Sequence, residues 1–357
     1  MLPVQPDRGA PFPVELEARF LGLARTGSPA ADAILDARIQ AYAERHLARL
    51  WSGYQALAEA DRRFDFRAYF HSSGATDADF GLPIAYFQAK KKPVFVVQHG
   101  GYGYARNRLT EHCEFGHDGT FLGWGEGVEG MYGALKRGTC RFVAAGSPGL
   151  ERIRRSRRRS SRFERICYVP VSLRGQTAYL PHGQPFLDSG LFVETVRRLE
   201  ALAPLLGNRE LVVKMAPSEL SPSALYGLNP LPGWVVAHLP RARVEARPLP
   251  EVIHDYDLII IDWPSTTLLQ ACASGAEVLL IENPYHTLTP ESRELLSPRA
   301  VLARDTKDFV TAAGRVLAGD KPVSDLEDIR FLLRYGLYKD DGRGLERMVA
   351  AVAPALA

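Results

Sequence analysis

Cysteine is scarce in this chain, with four in 357 residues at 113, 140, 167 and 272, and no two of them form a CxxC pair. That spacing excludes a zinc ribbon or a disulfide framework and leads us to expect buried free thiols. Long apolar runs are also missing. None approaches the roughly 20 residues that span a bilayer. The opening Met1-Leu2-Pro3-Val4-Gln5-Pro6-Asp7 has neither the basic nor the apolar region of a secretion signal, so a cytoplasmic protein is expected. Charge of one sign is nearly absent in sum, because 44 Lys and Arg against 41 Asp and Glu leave +3. Such a balance does not support a nucleic-acid surface. Three motifs are missing too. The glycine-rich stretch at 100–103 is not followed by Gly-Lys-Ser/Thr, it lacks the third glycine of GxGxxG, and Glu111-His112-Cys113-Glu114 is not HExxH. A Walker loop, a dinucleotide fingerprint and a zincin helix are thereby excluded, and no bound metal is expected.

What is present is an ordinary globular composition, 46% hydrophobic and 24% charged, on a chain long enough for two domains. The informative stretch runs from Leu258 to Pro284. Leu258-Ile259-Ile260-Ile261 is a short continuous apolar run, the pattern of a strand buried on both faces of a parallel sheet. Asp262-Trp263-Pro264 ends it. Ser265, Thr266 and Thr267 then bring three hydroxyls to the start of an Ala-rich helical segment that Gly275 closes, and 278–281 reads as the next strand. A helix N-terminus carries unpaired N–H groups and the positive end of the dipole, so a phosphate is favoured there. Helix capping is the ordinary alternative use of these hydroxyls.

The first half of the chain carries a second loop of interest. From Val14 to about Ala60 the pattern is helical; strands are expected at 66–70 and 93–97, with a helix over 78–90 between them. The second strand runs into Gln98-His99-Gly100-Gly101-Tyr102-Gly103-Tyr104, where the glycines permit a tight turn and close approach to a ligand. His99 is a candidate general base. The polar segment that follows holds Arg106, Glu111, Glu114 and His117. If helical, it puts Glu111 and Glu114 on one face, as carboxylates for a base, a nucleophile or a sugar-hydroxyl acceptor. Phe121 to Gly127 reads as a strand passing into a glycine-rich loop at Trp124-Gly125.

Between 151 and 165 stand eight arginines. They read either as a solvated connection or as an electrostatic contact of Arg152–Arg165 with an anionic membrane or acceptor. A second α/β alternation starts at Ile166. Its strand 211–213 delivers Lys214 and, after Pro217, Ser218 to the same carboxyl edge as Ser265, where a cation suits a donor diphosphate. Trp234 to Leu239 is expected as a further strand. Helices are expected over 292–296, 306–317 and within 325–357.

The C-terminal half resembles the second domain of GT-B-type transferases. The parts that carry the likeness are 249–253, 258–261, 264–267, 268–274, Gly275 and 278–281. It departs from the paired-glutamate pattern of retaining members in having Asp262 and Gln270, and Glu277 stands where a proline is usual. The Gln98-His99-Gly100-Gly101 loop, Glu111, Glu114 and Phe121-x-x-Trp124-Gly125 look like the surface-carbohydrate transferases of the LIC12162 family. Residues 335–349 are similar to the tails of capsule-type Kdo and glycerophosphate transferases.

The resemblance implies an α/β fold of two Rossmann-like domains facing a cleft, GT-B-like, with N- and C-terminal helices. Residues 1–163 form the acceptor side, 164–325 the nucleotide-sugar side, and 326–357 return to the first domain. It implies a metal-independent glycosyltransferase in cell-surface polysaccharide or lipopolysaccharide assembly, cytoplasmic and peripheral at the inner face of the membrane. The partners expected are a CMP- or UDP-linked sugar as co-substrate and a glycan or glycolipid acceptor, with no nucleic acid and no resident cofactor. His99, Glu111 and Glu114 are the catalytic candidates. Lys214, Ser218, Asp262, Ser265, Thr266 and Thr267 are the donor-binding candidates, and Gln98, Gly100, Gly101, Tyr102, Arg106 and Trp124 line the substrate loop. The alternatives are a CDP-glycerol-type glycerophosphotransferase and a non-catalytic glycan- or nucleotide-binding subunit.

Overall fold

The structure is a computed structural model, and it describes residues 48–72, 78–105, 118–133, 140–156, 163–171, 188–216, 220, 229–282, 287–319 and 323–356. Two parallel sheets organise these residues. The first has β1 (Tyr69–His71), β2 (Val94–Val97), β3 (Thr120–Gly123) and β4 (Arg141–Ala144) side by side in chain order. Helix α1 (Ala78–Ala89) joins β1 to β2, while α2 (Gly127–Tyr132) and α3 (Pro148–Arg155) follow β3 and β4. Strand β2 is apolar without alternation because both faces are covered. Val96 packs with Phe121, Val128 and Tyr132 on one face, and Phe95 packs with Leu122 and Val352 on the other.

The second sheet has β5 (Arg165–Val169), β6 (Glu210–Lys214), β7 (Ala242–Glu245), β8 (Leu258–Ile261), β9 (Glu277–Ile281) and β10 (Val301–Ala303), in the order β10-β9-β8-β5-β6-β7. Read from β7, the order is 3-2-1-4-5-6, with the direction of winding reversing between β5 and β8. That is the doubly wound arrangement, whose ligand crevice opens at the carboxyl ends of the two strands where the order reverses. Helix α4 (Asp188–Leu202) follows β5, α5 (Thr266–Ser274) follows β8, α6 (Pro290–Leu296) precedes β10, and α7 (Thr306–Ala318) follows it. Ile259 and Ile261 face the core of Leu268 and Leu269 from α5, whereas Leu258 and Ile260 face that of Leu199 and Phe309 from α4 and α7.

The fold class expected from sequence, α/β with two Rossmann-like units, is the one found. The apolar run 258–261 is strand β8 to the residue, and Gly275 closes α5 at φ 85°, a left-handed conformation that glycine adopts without steric cost. Two local expectations are corrected and one strand was not foreseen. Trp234–Leu239 is not a strand: Leu231–His238 is a helix with proline in its first turn, and Trp234 stacks on His238 at 4.9 Å. Proline starts helices because its lost N–H is unpaired there anyway. The strand in this region is β7, which pairs with β6. The strand expected at 66–70 is β1, displaced to Tyr69–His71, and β10 lacks any counterpart in the sequence reading.

The C-terminal helix α8 (Gly344–Leu356) lies against the first sheet through Val352. An ion-paired clasp ties its approach to α3. Arg154 meets Asp340 at 2.8 Å, Arg347 meets Asp341 at 2.7 Å, and the buried Glu151 accepts from the Gly344 amide at 2.9 Å. Arg155 donates to the Gly342 carbonyl and Arg165 pairs with Glu210. Part of the arginine-rich segment is therefore engaged within the chain, while 157–162 lie outside the described residues. Helix α3 itself packs on the second unit, with Leu150 and Ile153 in the same core as Leu268 and Leu269.

Candidate functional site

The carboxyl edges of the two sheets meet at one place. Strand β2 ends at Val97, and the loop Gln98–Ala105 runs from it onto the second unit. Gln98 is buried and braces this loop from within: its Nε2 donates to the Gly100 carbonyl at 2.7 Å, and its Oε1 accepts from the Trp124 amide at 2.8 Å. The Gly101 amide then donates to Thr266 Oγ1 at 2.8 Å, in the first turn of α5. A methyl group on Gly101 would meet the Thr266 backbone nitrogen at 3.2 Å and its Cα at 3.0 Å, and one on Gly100 would meet Thr266 Oγ1 at 2.8 Å. Glycine is required here by the close approach of two backbones.

Farther along, the loop is tied to α6. The Tyr104 carbonyl accepts from the Thr289 amide at 3.0 Å and from Ser292 Oγ at 2.6 Å, and Ala105 pairs with Leu288 in an isolated bridge. Tyr104 is fully buried against Phe331 and Tyr335. The loop is thus wedged between the beginnings of α5 and α6. Tyr102 is buried, with its ring 5.6 Å from that of His99, and His99 is exposed. Trp124 is buried at the foot of the loop.

On the second unit, Ser265, Thr266 and Thr267 are half-buried at the start of α5. Ser265 occupies the N-cap position with extended backbone but makes no capping bond with its side chain; its Oγ lies 3.1 Å from Thr267 Oγ1. Capping therefore does not account for the Ser265 hydroxyl. Lys214 ends β6 and is buried, with its ammonium donating to the Met215 carbonyl and Glu245 beside it in register on β7. Arg247 first, and Arg243 after it, hold the Glu245 carboxyl down at about 2.

Asp262 does not face the crevice. It is 1% exposed and turned toward α4, where its Oδ2 accepts from Tyr168 Oη at 3.1 Å and Thr195 Oγ1 at 3.2 Å and lies 3.7 Å from the Arg198 guanidinium. Burial pushes its carboxyl up to about 6, against the pull of Arg198, Tyr168 and Thr195. This corrects the expectation of direct donor contact, since a side chain so covered cannot touch a ligand in this arrangement. Tyr168, Thr195 and Arg198 were not singled out in the sequence. The signal was there in α4: Thr195 and Arg198, three apart, interrupt the apolar stripe of Leu199 and Leu202.

The structure brings Gly100, Gly101 and Thr266 together and sets Ser265 and Thr267 beside them. Lys214 lies on β6, across β5 from β8. Arg106, Glu111, Glu114 and Ser218 lie outside the described residues. Cys140, Cys167 and Cys272 are buried free thiols. Among the described residues, no three His, Cys, Asp or Glu side chains gather as a metal site requires, and no helix is long and apolar enough to cross a membrane. A cavity of about 500 Å³ lies at the opposite edge of the second sheet, lined by Phe163, Glu164, Arg165, Asn208, Arg209, Glu210 and Gly319. It is remote from the hydroxyl-bearing turn, because Arg165 and Glu210 begin β5 and β6.

No protein-family model and no curated protein matches the chain. Solved structures do. The UDP-GlcNAc 2-epimerase of Methanocaldococcus jannaschii, solved in complex with UDP-GlcNAc and UDP, has a TM-score of 0.53 at 9% identity, covering 86% of this chain and 81% of that one. A glycosyltransferase from Rickettsia africae ESF-5 has a TM-score of 0.48 at 10% identity, covering 86% and 81%. A UDP-glucosyltransferase from Polygonum tinctorium capable of glucosylating indoxyl has 0.44 at 12%, covering 86% and 79%. The likeness to the epimerase concerns the fold: two parallel α/β units over most of both chains.

Proposed function

We propose that this protein is a glycosyltransferase that moves a sugar from a nucleotide-activated donor to a glycan or glycolipid acceptor of the bacterial cell surface. The observation that carries the reading is the Gly101–Thr266 contact. It joins an exposed histidine on one unit to three hydroxyls at a helix N-terminus on the other, at the point where the second sheet reverses its winding. The α5 N-terminus, with Ser265, Thr266 and Thr267, would take the donor phosphate. Donors aimed there stabilise charge as the sugar leaves. In this reading the second unit holds the nucleotide, with Lys214 and Ser218 at the same edge, and the first unit presents the acceptor. His99, with Glu111 and Glu114, supplies acid–base chemistry without a bound metal.

The fold shared with the nucleotide-sugar epimerase supports a nucleotide-binding second unit without fixing the reaction. Peripheral membrane contact belongs to the same reading. With Arg154, Arg155 and Arg165 engaged internally, it rests on Arg152 and on 157–162.

The test is a panel of UDP-, CMP-, GDP- and CDP-linked donors, screened first by thermal shift and then by product analysis. A new glycosidic bond supports transfer. A phosphodiester product reassigns the chain to glycerophosphate transfer, and an epimerised donor released without acceptor reassigns it to epimerisation. Binding without turnover makes it a non-catalytic subunit. Failure of every donor to bind overturns the reading.

A further inference from the structure

We infer that Asp262 is a positioning residue that fixes the phosphate-binding turn from beneath. Three side chains on β5 and α4 hold it, and the Trp263-Pro264-Ser265 turn is thereby set before α5 begins. The inference rests on the reading that the start of α5 takes the donor phosphate.

The geometry follows from strand alternation. Leu258, Ile260 and Asp262 share one face of β8 and its extension, the face covered by α4 and α7, while α5 departs over the opposite face. The chain must therefore cross from one face to the other within Asp262-Trp263-Pro264-Ser265. A carboxylate anchored on the far face is what can hold such a crossing in register. Tyr168 reaches it from β5, the strand across the crevice, and Thr195 and Arg198 reach it from α4. Arg198 also donates to Thr306 Oγ1 at 3.4 Å, so the anchor extends to the start of α7. One apolar residue in place of Asp262 would fill the space but would leave Arg198 buried without its anion, a costly arrangement.

Two titratable or charged groups face Asp262: Tyr168 on β5 and Arg198 on α4. Burial, with Asp262 beside it, keeps the Tyr168 hydroxyl protonated far above neutrality. Asp262 itself gains its charge near pH 6. Its attraction for Arg198 is full above that pH, but burial outweighs it, so the charged form is the less stable one in this place. The bonds from Tyr168 and Thr195 serve either form. The turn should be held more tightly at pH 5, where Asp262 is neutral, than at pH 7.5.

The experiment compares the full chain with Asp262→Ala, which removes every side-chain bond, with Asp262→Asn, which removes only the charge, and with Tyr168→Phe, which removes one hydroxyl only. Hydrogen exchange of the peptide covering 262–268 is read without ligand at pH 5 and pH 7.5, corrected for intrinsic rates. Affinity for the UDP-, CMP-, GDP- and CDP-linked sugars is read at the same two pH values. Donor diphosphates esterified at both ends do not titrate in this range. In the parent, the turn should exchange several-fold more slowly at pH 5 than at pH 7.5. In Asp262→Ala, which removes all three side-chain partners, it should exchange at least tenfold faster than the parent and bind donor at least tenfold more weakly. In Asp262→Asn, the neutral isostere, it should show no pH dependence. The melting temperature of Asp262→Asn at pH 7.5 should not fall. Tyr168→Phe should move exchange and affinity in the same direction by less. Parental exchange in the turn of Asp262→Ala, or an unchanged pH dependence in Asp262→Asn, overturns the inference; so does a variant whose turn loosens while donor affinity stays parental. A parent that binds no donor overturns the underlying reading instead, and ligand-free exchange still decides whether Asp262 fixes the turn.

Discussion

At the scale of single residues, the hydroxyls at the start of α5 divide the work between the fold and a ligand. Thr266 Oγ1 already accepts the Gly101 amide, whereas Ser265 and Thr267 face each other and cap nothing. Thr267→Val should therefore leave the melting temperature near the parental value and weaken donor binding about tenfold, the effect of one lost charge-assisted hydrogen bond at about 1.5–3 kcal/mol. Thr266→Val should cost both affinity and stability, and Thr266→Ser should restore both. Calorimetric titration beside a thermal melt separates the two, and parental affinity in Thr267→Val would remove that hydroxyl from the site. Two carboxyls set opposite pH windows on stability. Asp262 is raised from 3.8 to about 6, so its contribution is present below 3.8 and lost as pH rises through 6. Each pH unit is worth about 1.4 kcal/mol. Glu245 is lowered from 4.5 to about 2 by Arg247, so its contribution is present above 4.5 and lost as pH falls through 2. Denaturant melts should show Asp262→Asn flattening the slope between pH 4 and 6, and Glu245→Gln flattening it below 4.5. An unchanged slope in either variant refutes that assignment.

At the scale of elements, the Gln98–Ala105 loop and α5 make a contact that tolerates one kind of intrusion and not another. A methyl on Gly101 meets main-chain atoms of Thr266 and Leu269 Cδ1 at 2.9 Å. Backbone cannot rotate away, and overpacking of this sort costs about 1–3 kcal/mol. A methyl on Gly100 meets only the Thr266 hydroxyl within 4 Å, which is the end of a rotatable side chain. Gly101→Ala should therefore lower the melting temperature by several degrees in any background, whereas Gly100→Ala should cost nothing once Thr266→Ala has cleared the space. A double-mutant cycle on unfolding free energy reads the difference, and equal costs for the two methyls would show that the loop does not seat on α5 as described.

The same elements show what the sequence could reveal. Strand β8, α5 and β9 were legible because an apolar run, a proline turn, hydroxyls and a closing glycine all agree. The helix Leu231–His238 was not. A run as short as Trp234-Val235-Val236-Ala237 has no period that separates a buried strand from a helix, and only Pro232 near its start argued for the latter. Gln98 read as a ligand group because a glycine loop follows it; the amide is in fact committed to Gly100 and Trp124, a partner 26 residues away that no local pattern announces. The inward aim of Asp262 was legible in principle from the alternation Leu258, Ile260, Asp262. Its partners were not, because they depend on β5 and β8 being neighbours in space.

At the scale of the whole molecule, the two units are locked together more tightly than a loop contact alone would require. Their interface includes α3 packed on α5 and the C-terminal segment. Phe331 and Tyr335 of that segment meet Tyr104 and share a core with Leu268 and Leu269, and its Gly336 carbonyl accepts from the Ser147 amide at 2.9 Å. Ligand binding and chemistry nevertheless fall to different units in the proposed reading. The hydroxyls and Lys214 belong to the second sheet, and His99 arrives on the first, exposed beside a loop that Gln98 braces from within. Replacing that ring should therefore leave the frame intact. His99→Asn should melt within a degree or two of the parent and bind donor within about twofold, because neither the core nor the start of α5 loses an atom. Turnover should fall about 100-fold or more, the usual scale for a lost acid–base group, and the pH profile should lose one limb. Gln98→Ala should behave in the opposite way: the loop would lose the bonds to Gly100 and Trp124, and melting temperature and turnover would fall together. Measuring melting, donor titration and product formation on both variants tests the division of labour directly. A His99→Asn protein that keeps more than about a tenth of parental turnover, against the same hundredfold scale, would remove the histidine from the mechanism and leave the acid–base role to the carboxylates of the following segment.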